Sequence, residues 1–208
     1  MRNHTFTNGE LYHIFNRGVD KRNIFLEKAD FDRFLLSMEK FNCIDPIGSL
    51  YAISFTNAKP QLSNQVAKLR LVNIICYCLN PNHYHFVLEQ LVDGGISIYM
   101  QRLSTGFAQY FNKKYKRSGA LCEGKFKSTP IISNVQLLHV SAYVNLNDRV
   151  HNLGHDVSRS SWNEYLGRTQ KELCEKDIIL KQFNNIEEYK NLAESSLVDI
   201  RDRKLLLE

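Results

Sequence analysis

Two histidines separated by a single residue are the side chains of this chain best suited to chemistry. His83 and His85 directly follow the turn-forming sequence Asn80-Pro81-Asn82. If the residues after this turn continue as a β-strand, both imidazoles point to the same face, about 7 Å apart along the strand. Two imidazoles placed in this way can bind one metal ion. A metal site on a small basic protein suggests phosphate chemistry, and such chemistry needs a nucleophile.

A candidate nucleophile lies on a helix predicted later in the chain, where Tyr143 and Asn147 are four residues apart. Side chains with this spacing project from one face of a helix. If the helix crosses the sheet face that bears the histidines, Asn147 can supply an amide oxygen and Tyr143 lies beside the metal. A phenol with a pKa near ~10 is a weak nucleophile, but a nearby cation stabilises the phenolate and polarises the phosphoryl group. Attack would give a phosphotyrosine link and a free 3′-hydroxyl, and the link conserves the energy needed to rejoin strands without ATP.

The apolar pattern of the chain predicts the elements that must position these residues. Their order is strand, helix, strand, strand, helix, strand and then an extra helix. The predicted strands cover residues 11–15, 69–79, 83–89 and 125–132, and the predicted helices cover about 29–41, 96–116 and 134–146. This order is typical of the split βαβ arrangement, in which helices pack on one face of an antiparallel sheet. We therefore predict an α+β, ferredoxin-like fold with an extra tyrosine-bearing helix and a helical C-terminal tail.

The chain has 208 residues, which favours one domain with an appendage, and its hydrophobic fraction of 43% is enough for a packed core. We assign residues 1–167 to a catalytic domain. Residues 168–208 are predicted to be a charged helical extension, with helices at about 171–183 and 186–197. Residues 44–68 are predicted to form a long irregular connection that could hold a short strand at 50–55.

The positive charge of the chain is concentrated in one segment. The whole chain has a net charge of +5, whereas residues 102–127 contain seven cationic residues and one acidic residue, a net charge of +6. A positive patch on a nearly neutral body is expected to bind a polyanion. A solvated helix end is the plain structural alternative for such a cluster.

Cysteine content and hydropathy indicate the compartment. The five cysteines are an odd number and the polar N-terminal sequence does not look like a signal peptide, so we expect reduced thiols. The longest apolar run, about residues 71–79, is too short to cross a bilayer. We therefore expect a cytoplasmic protein without a membrane partner.

Four stretches of the sequence, taken together, resemble a known family. They are residues 12–18 (Tyr-His-Ile-Phe-Asn-Arg-Gly), 77–85 (Tyr-Cys-Leu-Asn-Pro-Asn-His-Tyr-His), the basic segment 110–127, and 142–147 (Ala-Tyr-Val-Asn-Leu-Asn). The chain resembles the HUH single-tyrosine transposases, and above all the REP-associated tyrosine transposases and the related transposases of small insertion sequences. Residues 160–166 also look like the tail of that family, so the resemblance covers about residues 10–167.

The resemblance implies a metal-dependent endonuclease and strand transferase that acts on single-stranded DNA with hairpins through a 5′-phosphotyrosine intermediate. By match with the family motifs, His83 and His85 are paired metal ligands, Asn147 is a third ligand and Tyr143 is the nucleophile. The family usually has a proline after the asparagine of this motif, whereas this chain has Asp148.

The implied cofactor is a divalent metal ion, Mg²⁺ or Mn²⁺. Mg²⁺ prefers oxygen ligands, whereas imidazoles suit Mn²⁺ and other transition ions. Two histidines and one amide therefore favour Mn²⁺ on affinity. Mg²⁺ is favoured by its abundance in the cell, once a substrate phosphate completes the coordination shell.

Cationic side chains are expected to hold the DNA backbone. The candidates are Arg17, Lys113, Lys114, Lys116, Arg117, Lys125 and Lys127. Contacts of this kind give an affinity that falls with salt but no choice of sequence. Tyr115 and Phe126 lie among these residues and could stack on unpaired bases. Simple solvation is the alternative for each lysine.

Two other functions are compatible with the same residues. A split βαβ sheet could be a module that binds hairpin DNA or RNA without cutting it. Cys76 and Cys78 share one strand face, and with the two histidines they could form the structural zinc site of an interaction domain. A pure binding module has no need for a tyrosine and an asparagine four residues apart behind a histidine pair, so we favour the enzyme.

Two questions stay open at the level of sequence. Tyr110 is a competing nucleophile in the basic segment, although its stripe with Leu103 and Phe107 favours a place in the core. The patterning also does not distinguish a monomer from a homodimer.

Overall fold

A five-stranded antiparallel sheet is the centre of the fold. The computed structural model describes residues 4–45, 50, 69–153, 157–170 and 172–205. Its strands are β1 (Leu11–Arg17), β2 (Val72–Asn80), β3 (His83–Gln90), β4 (Lys127–Ile131) and β5 (Arg159–Ser160). They are ordered β4-β1-β3-β2-β5, with antiparallel pairing throughout. The first four strands thus have the ferredoxin-like order, and the short β5 extends the sheet beside β2.

Seven α-helices accompany the sheet in the described part of the chain. They are α1 (Lys28–Phe41), α2 (Gly95–Lys114), α3 (Asn134–Asn145), α4 (Asn147–Val150), α5 (Trp162–Tyr165), α6 (Asp177–Leu180) and α7 (Ile186–Leu205). At the start of α3, the hydroxyl of Ser133 accepts a hydrogen bond from the backbone N–H of Gln136 at 3.2 Å. Such a cap satisfies one of the N–H groups that the first turn leaves without a partner.

Helices α1 and α2 pack together on one face of the sheet. The alternation of β3 directs Tyr84, Phe86 and Leu88 to this face, where all three are buried. The ring of Phe34 on α1 lies 6.3 Å from that of Phe86 and stacks on it. Each such large apolar side chain contributes roughly 1.5–3 kcal/mol on burial. This layer is the main hydrophobic core, and it holds β3 in place from below.

Helix α3 crosses the opposite face of the sheet, and α7 packs against α3. Because α3 is covered on both sides, Ala142, Val144 and Asn145 are all buried although they point in different directions. The amide nitrogen of Asn145 donates to the hydroxyl of Tyr189 on α7 at 2.9 Å. The C-terminal helix therefore supports the tyrosine-bearing helix directly.

The predicted α+β fold, with its ferredoxin-like sheet, extra tyrosine-bearing helix and helical tail, is confirmed. The predicted connection at 44–68 and its strand at 50–55 lie mostly outside the described residues. The division at residue 167 stays a prediction. Among the described residues, no helix is both long enough and apolar enough to cross a membrane.

The predicted helix at 171–183 is wrong for most of its length, because in the described part of this range only α6 is α-helical. The carboxylate of Glu164 accepts two successive backbone N–H groups of the segment, at 2.8 and 3.1 Å. The backbone N–H of Glu175 donates to the carbonyl of Ile74 on β2 at 2.8 Å. These bonds hold residues 172–176 in a non-helical conformation against β2.

Candidate active site

The histidine pair lies on the sheet face that α3 covers. His83 and His85 alternate with the core-facing residues of β3, so their imidazoles share this face, with ring centroids 5.2 Å apart. In the neighbouring strand β1, Arg17 is paired with His83 and Phe15 with His85. The predicted same-face geometry of the pair is therefore present.

Helix α3 and the start of α4 bring the tyrosine and the asparagine to the histidines. The ring of Tyr143 lies 5.3 Å from that of His85, measured between centroids. The side-chain oxygen Oδ1 of Asn147 lies 3.0 Å from Nε2 of His83. All four residues that the sequence singled out for chemistry thus meet within one chain.

The hydrogen bonds around His83 determine which of its ring nitrogens has a lone pair. Asn82 donates from Nδ2 to the carbonyl oxygen of Lys21 at 3.1 Å, which leaves its Oδ1 as an acceptor. That oxygen lies 2.6 Å from Nδ1 of His83, so Nδ1 carries the hydrogen and donates. In the neutral imidazole, Nε2 then has the lone pair, and it faces Asn147.

The turn before His83 is held firmly against the end of β1. The backbone N–H of Gly18 donates to the carbonyl of Asn82 at 2.8 Å. A Cβ on Gly18 would collide with the carbonyl oxygen of Arg22, so this close approach requires glycine. The orientation of His83 therefore depends on the connection after β1 as well as on β3.

Two acceptor atoms converge on one donor at this site. Nε2 of His83 and Oδ1 of Asn147 both accept from the amide nitrogen of Asn80, at 2.9 and 2.7 Å, and they lie 3.0 Å from each other. Two ligands at adjacent corners of an octahedron with bonds of about 2.1 Å are themselves about 3 Å apart. The donor set and this separation fit a divalent cation.

Burial keeps the second proposed ligand neutral. His85 is 8% exposed. Its pKa lies well below the ordinary value, chiefly because burial disfavours the charged form, and the neighbouring His13, His83 and His151 add to the effect. Burial also lowers the pKa of His13 to about 4. Neutral imidazoles are the form that binds metal ions.

Burial has the opposite effect on the proposed nucleophile. It raises the pKa of Tyr143 above its ordinary value, and the side-chain amide of Asn147 offsets part of this rise. At neutral pH the side chain is therefore a phenol. Attack by its oxygen requires a positive charge nearby to stabilise the phenolate.

A cleft of about 470 Å³ opens beside the histidines. Its walls are Phe15, Asn16, Arg17, Lys21, Asn82, His83, His85, Lys127 and His151. Three of these side chains are cationic, so the cleft favours an anionic ligand. Arg17 also forms an ion pair with Glu123, whose carboxylate lies 2.7 Å from its guanidinium.

The structure does not bring the predicted DNA-contacting cations into one patch. Arg17 and Lys127 line the histidine cleft, whereas Lys113 and Lys114 line a separate cavity together with Arg33 and Arg102. Lys114 forms ion pairs at 2.6 Å with both Glu27 and Asp30. These pairs occupy its charge, although its contact with DNA stays a prediction.

The other predicted cations surround the end of α2 and the start of β4. Lys116 and Lys125 are exposed, and the guanidinium of Arg117 lies 5.6 Å from the centre of the Phe111 ring. The strand begins at Lys127 rather than at residue 125. Lys125 therefore lies outside the strand that was predicted to contain it.

The alternative zinc site does not form. Cys76 and Cys78 are fully buried, and burial raises the pKa of both thiols. Over the described ranges, no three or more His, Cys, Asp or Glu side chains are grouped so as to hold a metal ion. The predicted set of two histidines and one amide has a different composition.

Sequence reasoning missed three contributors to this site. Asn80 and Asn82 were assigned only to a turn, yet both contact His83. His13 lies 2.9 Å from His85, measured between ring nitrogens. The signal for His13 was available, because it alternates with the apolar Tyr12 and Ile14 on β1 and so faces away from the main core.

Comparisons with known proteins agree with the fold. No protein-family model matches the chain, and no curated protein matches it. Among solved structures, it is similar to a REP-associated tyrosine transposase bound to a REP hairpin, with a TM-score of 0.57 and 12% sequence identity. The similarity covers 83% of this chain and 88% of that chain. At this identity, the likeness shows a shared fold.

Proposed function

We propose that this protein is a metal-dependent endonuclease and strand transferase, which cuts single-stranded DNA beside hairpins through a 5′-phosphotyrosine intermediate. The observation that carries the proposal is the meeting of Tyr143 and Asn147 with the histidine pair. The Tyr143 ring is 5.3 Å from that of His85, and Oδ1 of Asn147 is 3.0 Å from Nε2 of His83.

The fold supports the choice of substrate class. One solved structure that shares this fold is a REP-associated tyrosine transposase bound to a REP hairpin. The cleft beside the histidines is lined by Arg17, Lys21 and Lys127, which can neutralise phosphates on either side of a scissile bond. We therefore infer a hairpin-bearing DNA single strand as the substrate.

In the proposed reaction, the Tyr143 hydroxyl oxygen attacks the scissile phosphorus. A bond forms between this oxygen and phosphorus while the bond from phosphorus to the 3′-oxygen breaks. The phenol loses its proton to solvent, and the departing 3′-oxygen takes up a proton to become a hydroxyl. Attack by a different 3′-hydroxyl on the phosphotyrosine restores a phosphodiester and releases Tyr143.

The residues around the tyrosine fit a site for Mg²⁺ or Mn²⁺ held by His83, His85 and Asn147. When bound, such a cation would stabilise the phenolate and withdraw charge from the phosphoryl oxygens. Asn82 holds His83 in the tautomer that has its lone pair on Nε2. Tyr143 is partly buried, which strengthens the charge interactions made there while leaving solvent able to take the proton of the phenol.

The working unit and its location follow from the same proposal. The four site residues belong to one chain, which favours a monomer as the catalytic unit, with a homodimer as the alternative. Chemistry on the cell's DNA agrees with a cytoplasmic location.

The test uses end-labelled hairpin oligonucleotides with single-stranded flanks, incubated with the full chain and Mn²⁺. We expect a protein–DNA adduct that survives SDS and is absent when EDTA is added. Tyr143→Phe should reduce adduct formation by about 10³-fold or more, because the attacking oxygen is gone. The matched control is Tyr110→Phe, which removes a hydroxyl that donates to Asp30 on the other face of the sheet.

Two results would contradict the proposal. An adduct that persists in Tyr143→Phe would assign the nucleophile to another residue. Tight binding with intact DNA, across a hairpin library and with both metal ions, would favour a module that binds hairpin DNA or RNA without cutting it.

A further inference from the structure

A third histidine, His13 on β1, contacts one of the proposed ligands directly. Its Nε2 lies 2.9 Å from Nδ1 of His85, and the two rings are stacked with centroids 5.1 Å apart. The edge of the Tyr143 ring lies on its other side, with centroids 5.9 Å apart. At 2.9 Å the two nitrogens share one hydrogen, so one ring donates and the other accepts.

The direction of this hydrogen bond decides whether His85 can bind a cation. A neutral imidazole has one N–H and one lone pair. If Nδ1 of His85 donates to His13, the lone pair is on Nε2 and is available to a cation. If His13 donates instead, Nε2 of His85 carries the hydrogen and cannot be a ligand.

We propose that His13 is a positioning residue, which accepts the Nδ1–H of His85 and so keeps the lone pair of His85 on Nε2. This inference rests on the proposed function, because it says how one ligand of that site is oriented. Histidines that bind metal ions almost always donate their second N–H to an acceptor. His83 has such an acceptor in Asn82, at 2.6 Å, and His13 is the equivalent for His85.

A packing role does not account for His13. The neighbouring Phe15 already stacks on His85, with ring centroids 5.7 Å apart, and it also stacks on His13 at 5.0 Å. A third aromatic ring without nitrogen would fill the same space. What His13 adds is an acceptor nitrogen placed within hydrogen-bonding distance of His85.

The test measures the affinity of the full chain for Mn²⁺ alone, without DNA, from the electron paramagnetic resonance signal of the free ion. His13→Phe keeps a ring but removes the acceptor, and we expect its affinity to fall by about 10- to 100-fold. His13→Gln restores an acceptor oxygen and should recover at least half of this loss on a logarithmic scale. His139→Phe removes an exposed histidine from α3 and should bind as the wild type does.

The failure of this inference is distinguishable from the failure of the proposed function. Wild-type affinity in His85→Ala would show that the proposed metal site is wrong. Loss of binding in His85→Ala with wild-type affinity in His13→Phe would overturn only the role of His13.

A second measurement keeps the inference falsifiable if His13→Phe does not fold. The ¹⁵N chemical shifts of labelled histidines report which ring nitrogens carry a hydrogen. In wild-type protein loaded with Mg²⁺, we expect Nε2 of His13 to be unprotonated and Nδ1 of His85 to be protonated. A hydrogen on Nε2 of His13 in that state would overturn the inference.

Discussion

Two polar clusters lie on opposite faces of the same sheet, and they use their hydrogen-bonding capacity differently. Beneath the sheet, fully buried Asp30 accepts bonds from Tyr110, Lys114 and Tyr115 at 3.1, 2.6 and 2.8 Å. Two backbone N–H groups donate to the same carboxylate at 2.9 and 3.2 Å. Above the sheet, His83 and the asparagines bring two acceptors onto a single donor.

The difference distinguishes a structural cluster from the proposed metal site. The Asp30 carboxylate is surrounded by donors, so the cluster is complete without a ligand and contributes to stability. Where His83 meets Asn147, two acceptor atoms share the amide nitrogen of Asn80 as their donor, an arrangement that fits the proposed cation. The tyrosines differ in the same way. The hydroxyls of Tyr110 and Tyr115 donate to Asp30, whereas Tyr143 lies beside the histidines.

The largest expected change in stability comes from removing the carboxylate at the centre of the Asp30 cluster. Asp30→Ala removes the shared acceptor of two tyrosines and a lysine, and breaking such a buried pair costs about 3–5 kcal/mol. Lys114 is 26% exposed and keeps Glu27 as a partner, so we expect a loss near ~3 kcal/mol in the free energy of unfolding measured with urea. The folded variant should bind Mn²⁺ as the wild type does. Weaker binding would show that the two clusters are coupled.

Binding of Mn²⁺ at the histidine cluster should stabilise the folded protein. At a Mn²⁺ concentration of 100 times its dissociation constant, binding to the folded state adds about 2.7 kcal/mol to the free energy of unfolding. His83→Ala should lose this increment, whereas Tyr110→Phe should keep it. Urea denaturation with and without Mn²⁺ measures both. If Mn²⁺ raised the free energy of unfolding of His83→Ala as much as that of the wild type, the ion would bind at another site.

The two clusters should also respond to acid in different pH ranges. Burial lowers the pKa of His13 from 6.5 to about 4, so the unfolded chain binds the proton first. The stability that depends on neutral His13 is complete above pH 6.5 and is lost as the pH falls towards 4. The loss of stability between pH 7 and pH 5, measured with urea, should therefore be smaller in His13→Phe.

Asp30 should respond only at lower pH. Burial opposes its ionisation, but hydrogen bonds led by that from Lys114 outweigh burial and hold its pKa below 3.8. Its contribution is complete above that value and is lost as the pH falls through the lowered pKa. Asp30→Asn should therefore leave the change between pH 7 and pH 5 as it is in the wild type. If Asp30→Asn abolished the loss of stability between pH 7 and pH 5, the two clusters would not titrate in separate pH ranges.

The smallest effect is expected for single cations. Lys127 is exposed at the histidine cleft, so Lys127→Ala should weaken binding to a hairpin oligonucleotide and reduce the salt slope of its affinity by about one. Lys114→Ala should reduce that slope by less, because Lys114 is also paired with Asp30 and Glu27. Dissociation constants over a series of salt concentrations measure both. An equal reduction of the slope in the two variants would show that these ion pairs do not compete with DNA.

Local periodicity made part of this site predictable. The strand period of two placed His83 and His85 on one face. The helix period predicted Tyr143 and Asn147 on one face of a single helix, but α3 ends at Asn145 and Asn147 begins α4, so the single-helix prediction is wrong. Both side chains still reach the histidines. The order of the elements was enough to predict the ferredoxin-like sheet. The segment at 171–183 was predicted wrongly, because its backbone N–H groups bond to the side chain of Glu164, nine residues away, and to the carbonyl of Ile74 on β2, and these bonds override helix propensity.

The amino-acid sequence by itself determined which side chains share a face, because that depends only on the geometry of each strand or helix. The tertiary structure alone decided which faces meet. It placed His13 beside His85, which is 72 residues away, and paired Lys114 with Asp30 across 84 residues. Strand register and helix packing produce such contacts, and no local pattern encodes them. The chemistry of His83 likewise depends on a hydrogen bond from Asn82 to Lys21, which exists only once β1 and the hairpin are packed together.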